Sequence, residues 1–135
     1  EWEGFRAEAY RCAAGRMTVG YGHTGADVTE GMTVTCEEAD DLLRGDVENV
    51  ERWLHRLTEQ AGVRLGQCEW DAIVSLVFNI GCGNFERSTL WRKLRIGCDR
   101  REVAAEFDRW VYAGGRRLPG LVRRRAGERE WFVRR

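Results

Sequence analysis

At Thr35 the chain changes period. The first 35 residues hold six glycines and short β-favouring stretches, of which Met17 to Gly22 alternates around Val19 and Tyr21. Gly22, Thr24, Gly25 and Asp27 are turn formers, and Val28 to Val34 is a further extended stretch. Together they predict a small twisted hairpin sheet. From Thr35 onward the apolar residues fall at helical spacing. Thr35 and Glu38 have the spacing of a capping box, and Ala39, Leu42, Leu43, Val47, Val50, Leu54 and Leu57 lie on one stripe. This predicts an amphipathic helix over 36–59, with Glu37, Asp41, Glu48, Glu51 and Arg52 on a solvated face. Sheet signals at one end and helix signals over the rest mean an α+β chain.

Further helices follow from the same reasoning. Gln67 to Ile80 carries Trp70, Ile73, Val74, Val77 and Phe78 at helical spacing, with Ala72 and Leu76 widening the stripe. A helix apolar over so much of its girth belongs at the centre of its lobe. Gly81 and Gly83 are read as its stop. Ser88 is placed to cap a short helix through Leu94 that ends at Gly97. Asp99 with Glu102 suggests a capping box for a helix bearing Val103, Phe107, Trp110 and Val111, broken by Gly114-Gly115. Pro119 suits a first helical position before Leu121 to Phe132. At 135 residues the expectation is one domain: a hairpin lobe over 1–35, a connecting helix over 36–59 and a helical lobe over 60–135.

Composition narrows the function classes. With 22 bases against 22 acids the formal charge is zero, which excludes a nucleic-acid partner held by overall charge but not one held by a local patch. No apolar run approaches the roughly 18 residues of a membrane span, and the charged start does not read as a signal peptide. The chain opens at Glu1 without a Met, which is compatible with a targeting or anchoring segment upstream. Cysteines at 12, 36, 68, 82 and 98 form no CxxC and no zinc spacing. Cys68 and Cys82 stand at opposite ends of one predicted helix, about 20 Å apart, too far to be bridged. Cys82 with Cys98 is geometrically open, as is the choice between five free thiols and two disulfides with one cysteine over.

The residues near the amino terminus go further. Glu3-Gly4-Phe5-Arg6, Ala9-Tyr10, Gly15 and Thr18-Val19-Gly20-Tyr21-Gly22-His23-Thr24 resemble the opening of the phage-type lysozymes, the endolysins of glycoside hydrolase family 24. The likeness continues through Phe78-Asn79-Ile80-Gly81, Ser88-Thr89-Leu90, Arg92-Lys93-Leu94, Trp110, Ala113-Gly114-Gly115, Leu118-Pro119-Gly120-Leu121 and Arg123-Arg124-Arg125. It covers nearly the whole chain in order. The family's usual helix ahead of the catalytic glutamate is almost entirely absent here. The resemblance implies a two-lobed lysozyme-like fold and hydrolysis of the β-1,4 bond between N-acetylmuramic acid and N-acetylglucosamine in peptidoglycan, in a cleft between the lobes. It implies action in the periplasm or wall of a bacterial host, with no cofactor or metal, because an acid and a water carry the reaction; oligomerisation has no clear signature, and a monomer is expected. Export route and origin are left open.

Glu3 matches the family's general acid. Glycosidic cleavage needs a proton on the leaving oxygen while an oxocarbenium-like centre develops, and a carboxyl of raised pKa supplies it. The departure is Cys12. It stands nine residues after the glutamate and six before Thr18, where the family has the Asp that, with the threonine, holds the attacking water. A minority of secreted members are similar in carrying Cys there. A free thiol titrates near pH ~8.5, so at neutrality it is mostly uncharged unless something lowers its pKa. Three readings follow: a working thiolate assisted by Arg11 or Arg16, a thiol held in a disulfide until reduction or exchange, or an inactive glycan-binding homologue.

Thr18 has a hydroxyl able to donate to and accept from a water, although a β-branched residue in a strand needs no function. His23 reads as structural, and Gly20 and Gly22 as turn glycines rather than a phosphate loop. Asn79 beside Phe78, at the end of an apolar helix, is read either as a cap or as a contact to an N-acetyl sugar. The rival function comes from residues 115–135, which hold eight arginines against Glu128 and Glu130. Such a patch could bind nucleic acid, but Trp131 and Phe132 fit a docking face and no nucleic-acid motif is present. The expectation is a basic surface that steers the enzyme to an anionic wall.

Overall fold

A computed structural model describes residues 6–11, 17–20, 23–24, 33 and 35–134, and of the first three segments the backbone only. The chain gathers into two compact units: residues 1–48 with 113–115, and residues 49–112 with 116–135. Of the site residues expected from sequence, Glu3 and Cys12 lie outside the described residues, as does the expected extended stretch from Val28 to Val34 except Thr33.

In the first unit three strands, β1 (Arg6–Arg11), β2 (Met17–Gly20) and β3 (His23–Thr24), form an antiparallel sheet in that order. The register sets Tyr10 opposite Thr18 and Arg11 opposite Met17, with an irregularity between Arg6 and Tyr10. On its other edge β2 sets Thr18 opposite Thr24 and Val19 opposite His23. Thr18 therefore stands on the central strand. A small antiparallel sheet is present as expected, but Thr24, read as a turn former, lies in β3, and β1 is a strand that sequence reading did not identify, its alternation being carried by alanines and a glutamate, residues of low β-propensity.

The long helix α1 runs from Cys36 to Ala61. Its capping box forms as expected: the Glu38 amide donates to Thr35 Oγ1 (3.1 Å) and the Thr35 amide to Glu38 Oε1 (3.0 Å). It ends two residues later than expected, at Gly62. That glycine takes φ +68°, and the Val63 amide donates back to the Thr58 carbonyl at 2.9 Å, closing a Schellman turn. Ala39 and Leu54 on the predicted stripe are fully buried, and the other stripe residues are half-buried.

The second unit is helical. Helix α2 spans Gln67–Ile80, with the bounds read from sequence, and buries Ala72, Ile73, Val74, Leu76 and Val77. Helix α3 (Cys82–Glu86) follows at once. Gly81 ends α2, at φ +93°, but Gly83 lies inside α3 rather than acting as a stop. Helix α4 (Thr89–Ile96) starts where Ser88 Oγ accepts the Trp91 amide at 3.1 Å, and ends at Gly97 in the left-handed region. Helix α5 covers only Arg100–Ala105 and continues as a 3-10 turn, Glu106–Arg109. Asp99 does cap it, accepting from the Arg101 amide at 2.8 Å, but the expected box with Glu102 is not made. Phe85, Trp91 and Trp53 stack around one core site, with ring centroids 5.7 and 6.1 Å from Phe85, and Phe107 meets Phe132 at 5.4 Å.

The segment after the 3-10 turn differs from expectation. Trp110 and Val111 are not helical, and Gly114-Gly115 is not a helix breaker but the turn of a hairpin, β4 (Tyr112–Ala113) and β5 (Arg116–Arg117). Both glycines have positive φ, 59° and 77°, as a two-residue turn matched to strand twist requires. Pro119 then opens helix α6 (Pro119–Phe132). Among the described residues no helix is long and apolar enough to cross a membrane.

Candidate functional site

Within the second unit a cavity of about 370 Å³ opens between the α3–α4 junction and the 3-10 turn. Asn84, Arg87, Ser88 and Thr89 line one side, and Glu106, Arg109 and Trp110 the other. The volume is at the small end of the range for ligand sites. Short local interactions shape it. Asn84 donates from Nδ2 to the Ile80 carbonyl (2.7 Å) and accepts from Arg87 (3.3 Å), while the Ser88 hydroxyl donates to the Phe85 carbonyl (2.6 Å).

Glu106 gives the cavity its chemistry. Its side chain is only 7% exposed, with Lys93 Nζ donating to Oε2 at 2.8 Å and Arg109 Nε lying 2.5 Å from Oε1. The Arg109 contact supplies charge without hydrogen-bond geometry, so among the described residues Oε1 is a buried acceptor that receives no directed donor. Leaving such an acceptor unsatisfied costs about 1–3 kcal/mol, which a ligand N–H or O–H can recover. The wall thus combines one hungry acceptor, two guanidiniums, the Ser88 and Thr89 hydroxyls and the half-buried Trp110 indole. That set suits an amide- or hydroxyl-bearing ligand with an apolar face.

A buried polar network supports the cavity from behind. Arg125, fully buried on α6, donates from Nε to the Trp110 carbonyl at 2.8 Å and so fixes the backbone of the cavity's aromatic residue. The same guanidinium pairs with Glu128 Oε1 (2.5 Å) and donates to Asn79 Oδ1. Arg124, 5% exposed, donates to Glu128 Oε2 (3.1 Å) and to the Ser75 carbonyl (3.0 Å). Asn79, expected as a cap or a sugar contact, is thus held by Arg125, and its neighbour Phe78 is half-buried. The C-terminal arginines are therefore not one surface patch: two are interior groups. Phe132 is buried, whereas Trp131 is 39% exposed with the Arg134 guanidinium 4.3 Å above its ring.

Cys36, Cys68, Cys82 and Cys98 are free thiols, so the Cys82–Cys98 pairing left open by the sequence is not made. Burial pushes the Cys82 thiol pKa up; a backbone hydrogen bond opposes this, and the Glu86 charge adds to it. The cavity residues Asn84, Arg87, Glu106 and Arg109 were not singled out from sequence. Each is a common surface type, and only the packing of α3, α4 and the 3-10 turn brings them together.

The comparisons with known proteins agree with this architecture. The chain is 45% identical to an endolysin of Acyrthosiphon pisum secondary endosymbiont phage 1, over 97% of this chain and 89% of that one. It is 40% identical to a SAR-endolysin of Bacteriophage PS34, covering 95% of this chain and 74% of the relative. Among solved structures it resembles the muramidase domain of SpmX from Asticaccaulis excentricus, with a TM-score of 0.82 at 36% identity over 99% of this chain and 90% of that one. The fold is therefore α+β and lysozyme-like, that of a glycan hydrolase. Residues 1–128 match the phage lysozyme family, and the chain belongs to it. It is a glycoside hydrolase of the muramidase type whose substrate is bacterial peptidoglycan.

Proposed function

We propose that the chain cleaves the β-1,4 bond after N-acetylmuramic acid with Glu3 as general acid, and with Cys12 and Thr18 holding the water. Glu3 delivers its proton to the departing glycosidic oxygen as the C–O bond breaks. A water on the opposite face of the sugar attacks the anomeric carbon, losing its proton toward the Cys12 thiolate, so the configuration inverts. Thr18 orients that water through a hydroxyl that donates and accepts. The carrying observation is the spacing Glu3, Cys12, Thr18 inside a match that runs through residues 1–128. The position of Thr18 on a central strand, paired on both edges, supports it, because such a backbone is held in place before substrate arrives.

The cavity of Glu106, Arg109 and Trp110 takes an amide-bearing portion of the substrate, and Asn79 and Phe78 are the candidates for contact with an N-acetyl group. Work on the wall places the enzyme in the periplasm or wall of a bacterial host. The chain acts as a monomer, as one lysozyme-like domain with the hairpin lobe over 1–35, the connecting helix over 36–59 and the helical lobe over 60–135.

Lysis of purified walls by three variants tests the assignment. Glu3→Gln should lose at least about 100-fold in rate, the lower range for removing a general acid. Cys12→Asp should retain activity, whereas Cys12→Ala and thiol alkylation should abolish it. A fully active Cys12→Ala removes the thiolate from the mechanism. Running the wild type under reducing and oxidising conditions separates a permanently working thiol from one released by reduction.

A further inference from the structure

The structure divides the C-terminal arginines into used and unused charges. Arg124 and Arg125 are interior, Arg129 pairs with Asp108, and Arg134 lies over Trp131 and within 3.8 Å of Glu130. Arg116, Arg117 and Arg123 are exposed, and among the described residues they have no carboxylate within ion-pair reach.

These charges sit on a preorganised element. The Leu118 amide donates to the Val111 carbonyl at 2.9 Å, which sets Tyr112 opposite Arg117 and Ala113 opposite Arg116 across the hairpin. Tyr112 is 61% exposed, so an aromatic ring and a guanidinium share one open face of the ribbon. The Arg123 guanidinium folds back over Gly120, 3.9 Å from where a Cβ would stand, toward the base of the same hairpin.

We propose that Tyr112, Arg117 and Arg123, with Arg116 on the reverse face of the same narrow ribbon, form a docking surface for the phosphodiester-linked anionic glycopolymer of a bacterial wall. Guanidinium forks match phosphate oxygens two at a time, and a tyrosine ring offers a flat apolar face to a pyranose. With zero net charge on the chain, attraction to a polyanion is local, and here three exposed guanidiniums without an ion pair among the described residues lie close together in sequence. Only the choice of a wall polymer as partner rests on the muramidase reading; the surface itself is independent of the catalytic residues.

The test is sedimentation of the full chain with purified Gram-positive walls, before and after hydrofluoric acid has removed their phosphodiester-linked polymers. The variant Arg116→Gln/Arg117→Gln/Arg123→Gln should bind native walls at least about tenfold more weakly at low salt, and its log affinity against log salt should be shallower by about 2. On stripped walls variant and wild type should bind alike, and Arg→Lys at the three positions should restore part of the retention. Release of reducing ends from stripped walls by the wild type checks the muramidase reading separately. Equal retention of variant and wild type on native walls overturns the proposal. So does a wild-type preference for stripped walls, or displacement by duplex DNA at a lower phosphate concentration than by the intact polymer extracted without cleaving its phosphodiesters.

Discussion

Glu106 shows how one side chain separates a binding role from a structural one. Its two oxygens face Lys93 and Arg109, yet Oε1 lacks a directed donor. Replacing it with Ala leaves two cations without their shared partner, so stability should fall, by about 1–3 kcal/mol in a urea titration. If the cavity takes substrate, Glu106→Ala also raises KM for walls several-fold while kcat changes less. A purely structural role predicts the loss of stability with KM unchanged, and the two measurements tell these apart. Cysteine chemistry is a second question at this scale. Cys36 is exposed, whereas burial pushes the Cys82 thiol pKa above its ordinary value. Alkylation followed by peptide mass mapping should therefore find Cys36 modified before Cys82. Cys82 should need a higher pH to react, because only the thiolate attacks and burial delays its formation. Fast modification of Cys82 at neutral pH would contradict this.

Within the elements, two glycines carry opposite signs. Gly45 lies inside α1, and a Cβ there would meet nothing within 4 Å. Gly45→Ala should raise stability by about 0.5–1 kcal/mol, since alanine loses less backbone entropy in a helix. Gly115, at φ +77° in the β4–β5 turn, also has open space around it, but the backbone conformation disfavours a side chain. Gly115→Ala should cost about 1–2 kcal/mol. Thermal midpoints of the two variants should move in opposite directions, and a shared direction would mean that space rather than backbone decides. The α4 cap is the third case, with Ser88 accepting the Trp91 amide in a buried position. Ser88→Ala should lower stability by about 1 kcal/mol.

For the molecule as a whole, the interior ion network links α2, α6 and the chain at Trp110. Arg125 is fully buried and joins Glu128, Asn79 and the Trp110 carbonyl. Removing it leaves Glu128 with one cation fewer and uncaps a buried carbonyl, so Arg125→Ala should destabilise by about 3–5 kcal/mol. The exposed Arg117→Gln should change stability by less than about 0.5 kcal/mol. Denaturant unfolding of both variants checks the contrast, and similar losses would mean that the network does not hold the unit together. The sequence presents Arg117 and Arg125 as members of one basic stretch; position in the fold separates them.

That contrast marks what could be read from the chain alone. Helix α2, the Thr35–Glu38 box, the Ser88 and Gly97 ends of α4 and Pro119 at the start of α6 were legible, because capping and amphipathic periodicity are properties of neighbouring residues. The order Glu3, Cys12, Thr18 is a pattern of the same kind, residue types at fixed spacing along the chain, and the proposed mechanism rests on it. The inward side of α6 was not legible. Its stripe of Arg124, Arg125, Glu128 and Phe132 is mostly charged, so no hydrophobic pattern announces that it is buried. The β4–β5 hairpin and the Glu106 cavity were missed as well, since two-residue strands have no period and the cavity joins residues from three elements. Local propensity and spacing are written in sequence. Which charges are neutralised indoors and which are left facing water depends on partners distant along the chain, and only folding supplies them.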